Sequence, residues 1–323
     1  MRSNLLKIFV FVFALMICSG LAVAVENVWI DTDPACDHAK TNDVDDCWAL
    51  LMALGASELS ISGISTVFGN EVGKITYNTA QQIVHRFAPE KLAQHIFRGA
   101  DEKLDSNTSQ ATDSTSALAK ALKEKPLTIL ALGPLTNVAN LLLAHPELTG
   151  NIKHIIAVAG QRPDDKLGFY PGESKLLHLH DMNFRKDVTA FDVILSSSIP
   201  LTLIPYEIAI KISINPDDLN RLSSGDEKAK WLASISYPWL GFWQSSLHTE
   251  GFSPFDSLAV GYLLIPELYT CEEIAVAIQH KRSLFVASRD KLIVDNKLQS
   301  TRHTTYCYDI DPGFKEKLIK YLL

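Results

Sequence analysis

The sequence predicts an α/β protein with an open, mostly parallel central sheet and helices on both faces. Short apolar runs rich in β-branched residues alternate along the chain with segments of helical spacing. Several of these runs end on Asp, Asn or Gly, as parallel strands do where they open into a ligand site. The 323 residues, 47% of them hydrophobic, suffice for one large domain with a buried core.

The first half of the chain contains four predicted strands, and a helix follows each of the first three. The predicted strands are 25–30, 59–67, 127–132 and 152–159, and the helices are 47–54, 74–87 and 138–144. Alternation of this kind implies parallel pairing. Because the carboxyl ends of parallel strands meet at one edge of a sheet, the functional residues are expected there.

The second half continues the α/β pattern with longer irregular stretches. The pattern predicts helices over 187–195 and 228–248 and from 312 onward, and strands over 201–204, 282–289 and 301–309. Residues 101–116, rich in Asp, Ser and Thr, predict an exposed loop. No repeat or clear linker interrupts residues 25–323, which are therefore predicted to form a single domain.

Residues 1–24 have the pattern of a secretory signal peptide. A basic start precedes the apolar run at 8–17, and Ala22-Val23-Ala24 offers a cleavage site. Ten apolar residues are too few to span a bilayer, which disfavours an uncleaved anchor. Lipidation of Cys18 is the weaker alternative, because the small residue usual before a lipoprotein cysteine is missing. We expect a periplasmic or secreted protein with no membrane attachment after cleavage.

Export permits disulfides among the four remaining cysteines, Cys36, Cys47, Cys271 and Cys307. Cys36 and Cys47 bracket a polar segment, and a bridge between them would hold that segment near the neighbouring acids. Three pairings are open, and the alternative is that all four thiols are small buried hydrophobic groups.

The charge balance excludes one class of partner. The formal charge is −7, the pI is near 5.8, and no run of Lys or Arg is present. Binding to nucleic acid polymers depends on clustered cations. A nucleic acid polymer is therefore not expected as a partner.

Carboxylates are densest just after the first predicted strand. Asp31 and Asp33 are followed by Asp43, Asp45 and Asp46. So many acids in a folded site cannot all stay ionised unless a cation or protonation relieves their repulsion. A hard metal ion is the simplest answer, and ordinary helix capping is the alternative.

Five motifs together resemble the inosine-uridine-preferring nucleoside hydrolase family, over most of the mature chain. Each motif alone is weak, but all five occur in the family's order at predicted strand ends or loops. They are DTDP at 31–34 with Asp45 and Asp46, STVFGN at 65–70, ALGPLTN at 131–137, DMN at 181–183 with Asp187, and FDSLAV at 255–260.

The resemblance implies a Ca²⁺ ion held by Asp33, Asp46, Asp256 and the backbone carbonyl of Leu132. Calcium takes six to eight oxygens and mixes carboxylates with carbonyls, so the donor types agree. By the same resemblance, Asp33 is the catalytic residue that deprotonates the attacking water. For Asp256 alone, capping of the following helix is an equal alternative.

The resemblance also implies that Asp45, Asn70, Asp181 and Asn183 bind the ribose hydroxyls. Amides and carboxylates suit a diol, which offers both donors and acceptors. Asp181 stands where the family usually has Glu. The alternative for the two asparagines is turn stabilisation.

Two departures from the family pattern bear on the site. An insertion places Asp45 twelve positions after Asp33, where the usual spacing is four, so Asp37 or Asp43 could enter the site. Phe255 stands where many members carry a histidine that protonates the leaving base, and phenylalanine donates no proton. Tyr237, Trp243, His248 and Phe255 are the candidate base contacts, with core packing as the alternative for the aromatic residues.

The resemblance therefore implies a Ca²⁺-dependent hydrolase of the N-glycosidic bond of ribonucleosides, with a nucleoside as substrate and, as relatives form dimers or tetramers, a homodimer or homotetramer as the expected assembly. The alternative is a catalytically impaired, riboside-binding member, indicated by Phe255. A phosphatase of the haloacid dehalogenase type would use the Asp31-Thr32-Asp33 motif, but it leaves the motifs at 133–137 and 181–183 without a role.

Overall fold

The computed structural model describes residues 25–39, 43–106, 108–163, 181–280 and 290–323, together with the backbone of two short strands at 168–169 and 177–178. The strands are β1 Glu26–Thr32, β2 Leu59–Thr66, β3 Ile96–Arg98, β4 Leu127–Ala131, β5 Ile152–Ala157, β6 Gly168–Phe169, β7 Leu177–His178, β8 Leu201–Leu203, β9 Tyr269–Gln279, β10 Lys291–Val294 and β11 His303–Ile310. The α-helices are α1 Asp45–Gly55, α2 Gly73–Phe87, α3 Glu90–Ala93, α4 Asp113–Glu124, α5 Thr136–Ala144, α6 Met182–Lys186, α7 Val188–Leu195, α8 Tyr206–Ala209, α9 Pro216–Ser223, α10 Glu227–Phe242, α11 Ser257–Leu264 and α12 Phe314–Leu322.

Nine of the described strands form one sheet in the order β10-β9-β11-β8-β5-β4-β1-β2-β3. The pairs from β11 through β3 are parallel, whereas β9 pairs antiparallel with both β10 and β11. The order reverses between β1 and β4, and at such a switch point a crevice opens at the carboxyl ends of the strands. The predicted fold class is thereby confirmed.

The central strands are buried on both faces over most of their length, which explains the apolar runs at 28–30 in β1 and 129–131 in β4. Alternate residues of β1 point to opposite sides, with Trp29 in one hydrophobic cluster and Ile30 in the other. Helices α1, α10, α11 and α12 supply the cluster around Ile30, and α4, α5 and α7 supply the cluster around Trp29. Each large apolar side chain buried in this way contributes about 1.5–3 kcal/mol.

Most predicted elements are present, and the differences lie in irregular regions. The predicted loop at 101–116 ends earlier, because the Thr112 hydroxyl accepts the backbone N–H of Thr115 and caps α4. The helical segment predicted at 228–248 is α10 followed by a π-helical turn, Trp243–Leu247. The sequence patterns missed β3, β9 and β10, and the strand predicted at 282–289 lies outside the described residues.

Two disulfides are formed, Cys36–Cys47 and Cys271–Cys307. The first is the bridge considered above, and the second joins directly paired residues of β9 and β11. The predicted signal peptide at 1–24 lies outside the described residues. Within the part of the chain that is described, none of the helices combines the length and the apolar character needed to cross a membrane.

Candidate active site

A cavity of about 340 Å³ lies at the carboxyl ends of the central strands. One end of it is lined by carboxylates and amides, and the other by aromatic and aliphatic side chains. We call these the carboxylate end and the aromatic end. The lining residues are Asp33, Asp43, Asp45, Asn70, Leu132, Val158, Ala159, Gly160, Asp181, Met182, Asn183, Tyr206, Trp239, Phe242, Trp243, Leu247, Phe255 and Asp256.

Three buried carboxylates come together at the carboxylate end. Asp45 and Asp46 are in the first turn of α1, and Asp256 immediately precedes α11. Each of the three offers an oxygen within 4.8 Å of the other two. Although Asp256 occupies the N-cap position of α11, its side chain makes no capping hydrogen bond, so helix capping does not account for it.

Asp33 and Asn70 tie the ends of β1 and β2 to this trio. The backbone N–H of Asp33 donates to Asp46 Oδ1 at 3.0 Å, and Asn70 Nδ2 donates to Asp46 Oδ2 at 2.9 Å. The Thr32 hydroxyl also donates to Asp46 Oδ1. Asp33 itself accepts the backbone N–H of Asn70 at Oδ2, at 2.7 Å. The orientation of both carboxylates is therefore set by groups from two strand ends.

Two glycines allow the backbone to approach Asp33. A Cβ at Gly69 would lie 2.0 Å from Asp33 Oδ2, and one at Gly133 would lie 2.4 Å from Asp33 Oδ1. Neither turn could pack against the carboxylate with a larger residue. The Lys186 ammonium group donates to the carbonyl of Gly69 at 2.8 Å and so holds one of these turns in place.

Burial raises the pKa of every carboxyl group at this end, and the neighbouring carboxylates raise most of them further. The pKa values of Asp33, Asp45 and Asp256 lie well above the usual range, and the pKa of Asp43 is raised to about 6. A bound cation would supply the opposite charge that these groups lack. The donor set of buried carboxylate oxygens fits a hard divalent ion such as Ca²⁺.

Asp31 does not line the cavity, but its hydrogen bonds connect the strands and the helix next to it. The Ser65 hydroxyl and Asn137 Nδ2, the latter at 2.7 Å, both donate to Asp31 Oδ1. Asn137 Nδ2 also donates to the carbonyl of Thr66 at 3.0 Å. Burial raises the pKa of Asp31 to about 7. This network fixes the end of β1 against β2 and α5, the element that begins in the ALGPLTN motif.

The DMN motif at 181–183 closes the cavity beside β4 and β5. Asp181 caps α6 by accepting the backbone N–H of Phe184 at 3.0 Å, and it also accepts the N–H of Gly160 at 2.7 Å. Asn183 Nδ2 donates to the carbonyls of Leu132 at 2.6 Å and Val158 at 3.1 Å. Burial raises the pKa of Asp181 to about 6.

The aromatic end combines rings from three elements. Tyr206 of α8 stacks on Phe255, with ring centroids 5.5 Å apart and planes 22° from parallel. Trp243 packs against Phe255 at 6.1 Å. Trp239 stacks on Phe242 at 5.1 Å, and its Nε1 is buried with no hydrogen-bond partner among the described residues. This end therefore presents mainly aromatic ring surface to a ligand.

Of the four candidate base contacts, Trp243 and Phe255 line the cavity, and Tyr237 and His248 do not. Tyr237 is 40% exposed and its hydroxyl donates to Asn220 Oδ1 at 2.8 Å. His248 is exposed and has a left-handed backbone, with φ of 54°, where the π-helical turn ends. For Tyr237 helical periodicity explains the correction, because Trp239 and Phe242 lie on the side of α10 that faces the cavity and Tyr237 does not. His248 lies outside because the π-helical turn ends at it.

The remaining sequence-predicted residues all lie at or beside the carboxylate end. Seven of them line the cavity, namely Asp33, Asp45, Asn70, Leu132, Asp181, Asn183 and Asp256. Asp46 does not line it but belongs to the trio with Asp45 and Asp256. The close trio contains Asp45, whereas the expected ligand set contained Asp33. Tyr206 and Phe242 were missed. The position of Tyr206 just after a strand was the available signal, since ligand sites form at such ends.

The insertion between Asp33 and Asp45 is anchored at both of its ends. The Cys36–Cys47 disulfide ties its start to α1, one residue beyond Asp46. At its other end Asp43 lines the cavity and accepts the backbone N–H groups of Val44 at 2.7 Å and Asp45 at 3.2 Å. The insertion therefore adds a carboxylate to the site.

Comparison with known proteins agrees with the family resemblance found in the sequence motifs. Residues 28–315 match the family model described as inosine-uridine preferring nucleoside hydrolase. The non-specific ribonucleoside hydrolase RihC of Salmonella enteritidis is 25% identical over 314 residues, which span 90% of this chain and 95% of that protein.

Two solved structures share the fold. A plant nucleoside hydrolase superposes with a TM-score of 0.74 at 18% identity, over 92% of this chain and 97% of the other. A purine-preferring ribonucleoside hydrolase from Gardnerella vaginalis gives a TM-score of 0.73 at 18% identity, over 92% and 98% of the two chains.

Proposed function

We propose that this protein cleaves ribonucleosides to base and ribose in a Ca²⁺-dependent reaction. The chain belongs to the inosine-uridine preferring nucleoside hydrolase family and is thus a hydrolase of N-ribosyl bonds. The observation that carries the metal dependence is the approach of Asp45, Asp46 and Asp256 to within 4.8 Å in a buried cavity. Three buried carboxylates at that distance repel one another strongly unless a cation joins them.

The donor groups around the trio fit calcium. Asp33 lies beside it, and Leu132 lines the same cavity. The backbone carbonyl of Leu132 is the fourth expected donor. That carbonyl accepts Asn183 Nδ2 with one lone pair and retains a second for a cation. Asp33, Asp46, Asp256 and Leu132 would hold the ion, with Asp45 close enough to join them. Bound calcium would lower the pKa of the attacking water and orient it.

Asp33 is suited to accept the proton of that water. Its carboxylate is held between the turns at Gly69 and Gly133, and the Asn70 N–H fixes the direction of Oδ2. General base catalysis by a positioned carboxylate contributes about 10²- to 10⁴-fold. An ionised Asp33 also stabilises the positive charge that develops on the sugar as the glycosidic bond breaks.

The polar groups beside the trio are suited to bind the ribose hydroxyls. Asp45 and Asn70 face the cavity on the side of α1, and Asp181 and Asn183 face it on the side of α6. Backbone groups already hold Asp181 on both oxygens, so its carboxylate would meet a hydroxyl without reorganisation. The base would then contact the aromatic end, where stacking contributes about 1–3 kcal/mol per base.

A nucleoside panel assayed for reducing sugar, with Ca²⁺ or with chelator, tests the proposal. We expect hydrolysis that chelator abolishes and calcium restores. Asp256→Asn is expected to lose activity and calcium binding together, measured by titration calorimetry. Asp217→Asn is the matched control, because Asp217 is an exposed carboxylate in the first turn of α9. Equal rates with calcium and with chelator would refute the metal dependence.

The second candidate function is riboside binding without catalysis, and Phe255 is the observation that favours it. Its side chain lines the cavity and offers no proton to a leaving base. In that case calorimetry would detect nucleoside binding in calcium, while no reducing sugar would be released.

We also propose that the protein is exported. The signal-peptide pattern of residues 1–24 supports this, as do the Cys36–Cys47 and Cys271–Cys307 disulfides, which persist in oxidising compartments. Cell fractionation with N-terminal sequencing of the mature protein is the test, and a cytosolic protein that retains residues 1–24 would contradict it.

A further inference from the structure

A base that leaves from the aromatic end is stabilised by a hydrogen-bond donor at that end. A departing base takes the electron pair of the glycosidic bond and becomes a stronger acceptor as it does so. Phe255 cannot stabilise that charge by hydrogen bonding, and the lack of a general acid costs roughly 10²- to 10⁴-fold in rate. Another side chain at this end is therefore the place to look.

Tyr206 is placed to fill this role. It is the first residue of α8, three positions after β8 ends, so it occupies the same edge of the sheet as Asp33. Its ring lies against Phe255 at 5.5 Å and lines the cavity. Pro205 occupies the N-cap position of α8 directly before Tyr206. Its ring restricts the backbone there, which limits the positions that the start of α8 can adopt.

The chemistry of the cavity wall singles out the same residue. Among the described residues that line the cavity, Tyr206 alone carries a hydroxyl group. The indoles of Trp239 and Trp243 carry N–H donors, but an indole is a far weaker acid than a phenol and responds less to developing negative charge. The carboxylates of the opposite end are ionised when a cation neutralises them.

We propose that the Tyr206 hydroxyl donates a hydrogen bond to the departing base, in the role that Phe255 cannot perform. This inference rests on the proposed function. The preferred substrates are then nucleosides whose base presents a ring nitrogen or carbonyl oxygen to that hydroxyl. Burial raises the pKa of Tyr206, which keeps the phenol protonated and able to donate throughout the neutral range.

The reaction balances without a further reactant. The water oxygen bonds to the anomeric carbon as the bond from that carbon to the base nitrogen breaks. The electron pair of the broken bond goes to the base, which the Tyr206 hydroxyl stabilises as it departs. The proton that Asp33 takes from the water reaches the departing base anion through solvent, so water and nucleoside yield ribose and the neutral free base.

The test compares two leaving groups in Tyr206→Phe, a variant that removes the hydroxyl and keeps the ring stacked on Phe255. With inosine we expect kcat to fall about 10²-fold with little change in KM. With 4-nitrophenyl riboside, whose leaving group departs as a stable anion, we expect a rate near that of the wild type. Tyr237→Phe is the matched control, because the Tyr237 hydroxyl lies outside the cavity.

The outcomes separate the two proposals. A wild-type protein inert toward both substrates in calcium would overturn the proposed function and the role of Tyr206 with it. An active wild type, combined with a Tyr206→Phe variant that loses both activities equally or neither, would overturn the role of Tyr206 alone. Tyr206→His restores a donor, and partial recovery with inosine relative to Tyr206→Phe would support the assignment; no recovery would count against it.

Discussion

The two ends of the cavity are built in different ways. At the carboxylate end, backbone N–H groups and short polar side chains hold Asp33, Asp46 and Asp181 through directed hydrogen bonds. At the aromatic end, Tyr206, Trp243 and Phe255 hold one another by ring packing, with centroids 5.5 and 6.1 Å apart. The first arrangement fixes direction, as a metal and a sugar require. The second fixes only shape, which tolerates different bases.

The two ends also differ in how they affect the stability of the folded protein. Buried, mutually repelling carboxylates destabilise the cation-free protein, whereas packed rings stabilise it. We therefore expect removal of a carboxyl group at the carboxylate end to alter activity and stability in opposite directions. Changes at the aromatic end should reduce both.

The largest expected effect is that of Asp33→Asn. Loss of the proposed proton acceptor is expected to lower kcat by about 10²- to 10⁴-fold. The calcium-free variant should nevertheless unfold at a higher temperature than the wild type at pH 7, because the substitution removes one of several repelling carboxyl groups. Steady-state kinetics and calorimetric melting measure the two quantities. A variant that is both inactive and less stable would contradict the proposed electrostatic cost.

Metal removal and pH should act together on stability. Burial raises the pKa of Asp31 to about 7 and those of Asp43 and Asp181 to about 6. Because the folded protein binds these protons more tightly than the unfolded chain, the chelated protein should lose stability as pH rises from about 4 to 7. Calcium at about 100 times its Kd should restore roughly 2.7 kcal/mol near pH 7. Melting curves across this pH range are the measurement, and a calcium-free protein that gains stability with rising pH would refute the sign.

The Cys36–Cys47 bridge belongs to the carboxylate end, and its removal tests how far that end depends on the insertion. Replacing both cysteines by Ser is expected to lower the free energy of unfolding by roughly 3 kcal/mol, the value for a loop of this size. Calcium affinity should fall as well, because the bridge ends one residue from Asp46. The double replacement of Cys271 and Cys307, on β9 and β11, is the control that should leave calcium affinity unchanged.

The smallest effect is expected from the loss of one stacking ring at the aromatic end. Trp239→Ala removes one ring of the wall and should raise KM about tenfold, in line with about 1–3 kcal/mol of stacking, while kcat changes less. His248→Ala is the matched control from the same segment, and no change in KM is expected because His248 is exposed and outside the cavity. Equal effects of the two substitutions on KM would show that the assignment of cavity-lining residues within 237–248 is wrong.

Prediction from sequence was most successful where local pattern and chemistry coincide. The strands β1, β2, β4 and β5 are buried toward their carboxyl ends, and each opens into a turn containing Asp, Asn or Gly that the sequence displays directly. The strands β9 and β10 were missed although 274–278 and 292–294 are apolar runs, because a short apolar run does not by itself distinguish a strand from a buried helical segment.

Within the site, too, some features could be predicted from the sequence and others could not. The sequence by itself determined the α/β class, the cluster of acids after the first strand and the family, because these depend on residues close together in the chain or on motifs in a fixed order. Only the tertiary structure decided that Asp45 joins Asp46 and Asp256, that Tyr206 meets Phe255, and that Tyr237 and His248 face away. The physical reason is that contacts between residues distant along the chain depend on how helices rotate and pack on the sheet, and helical spacing alone leaves that rotation open.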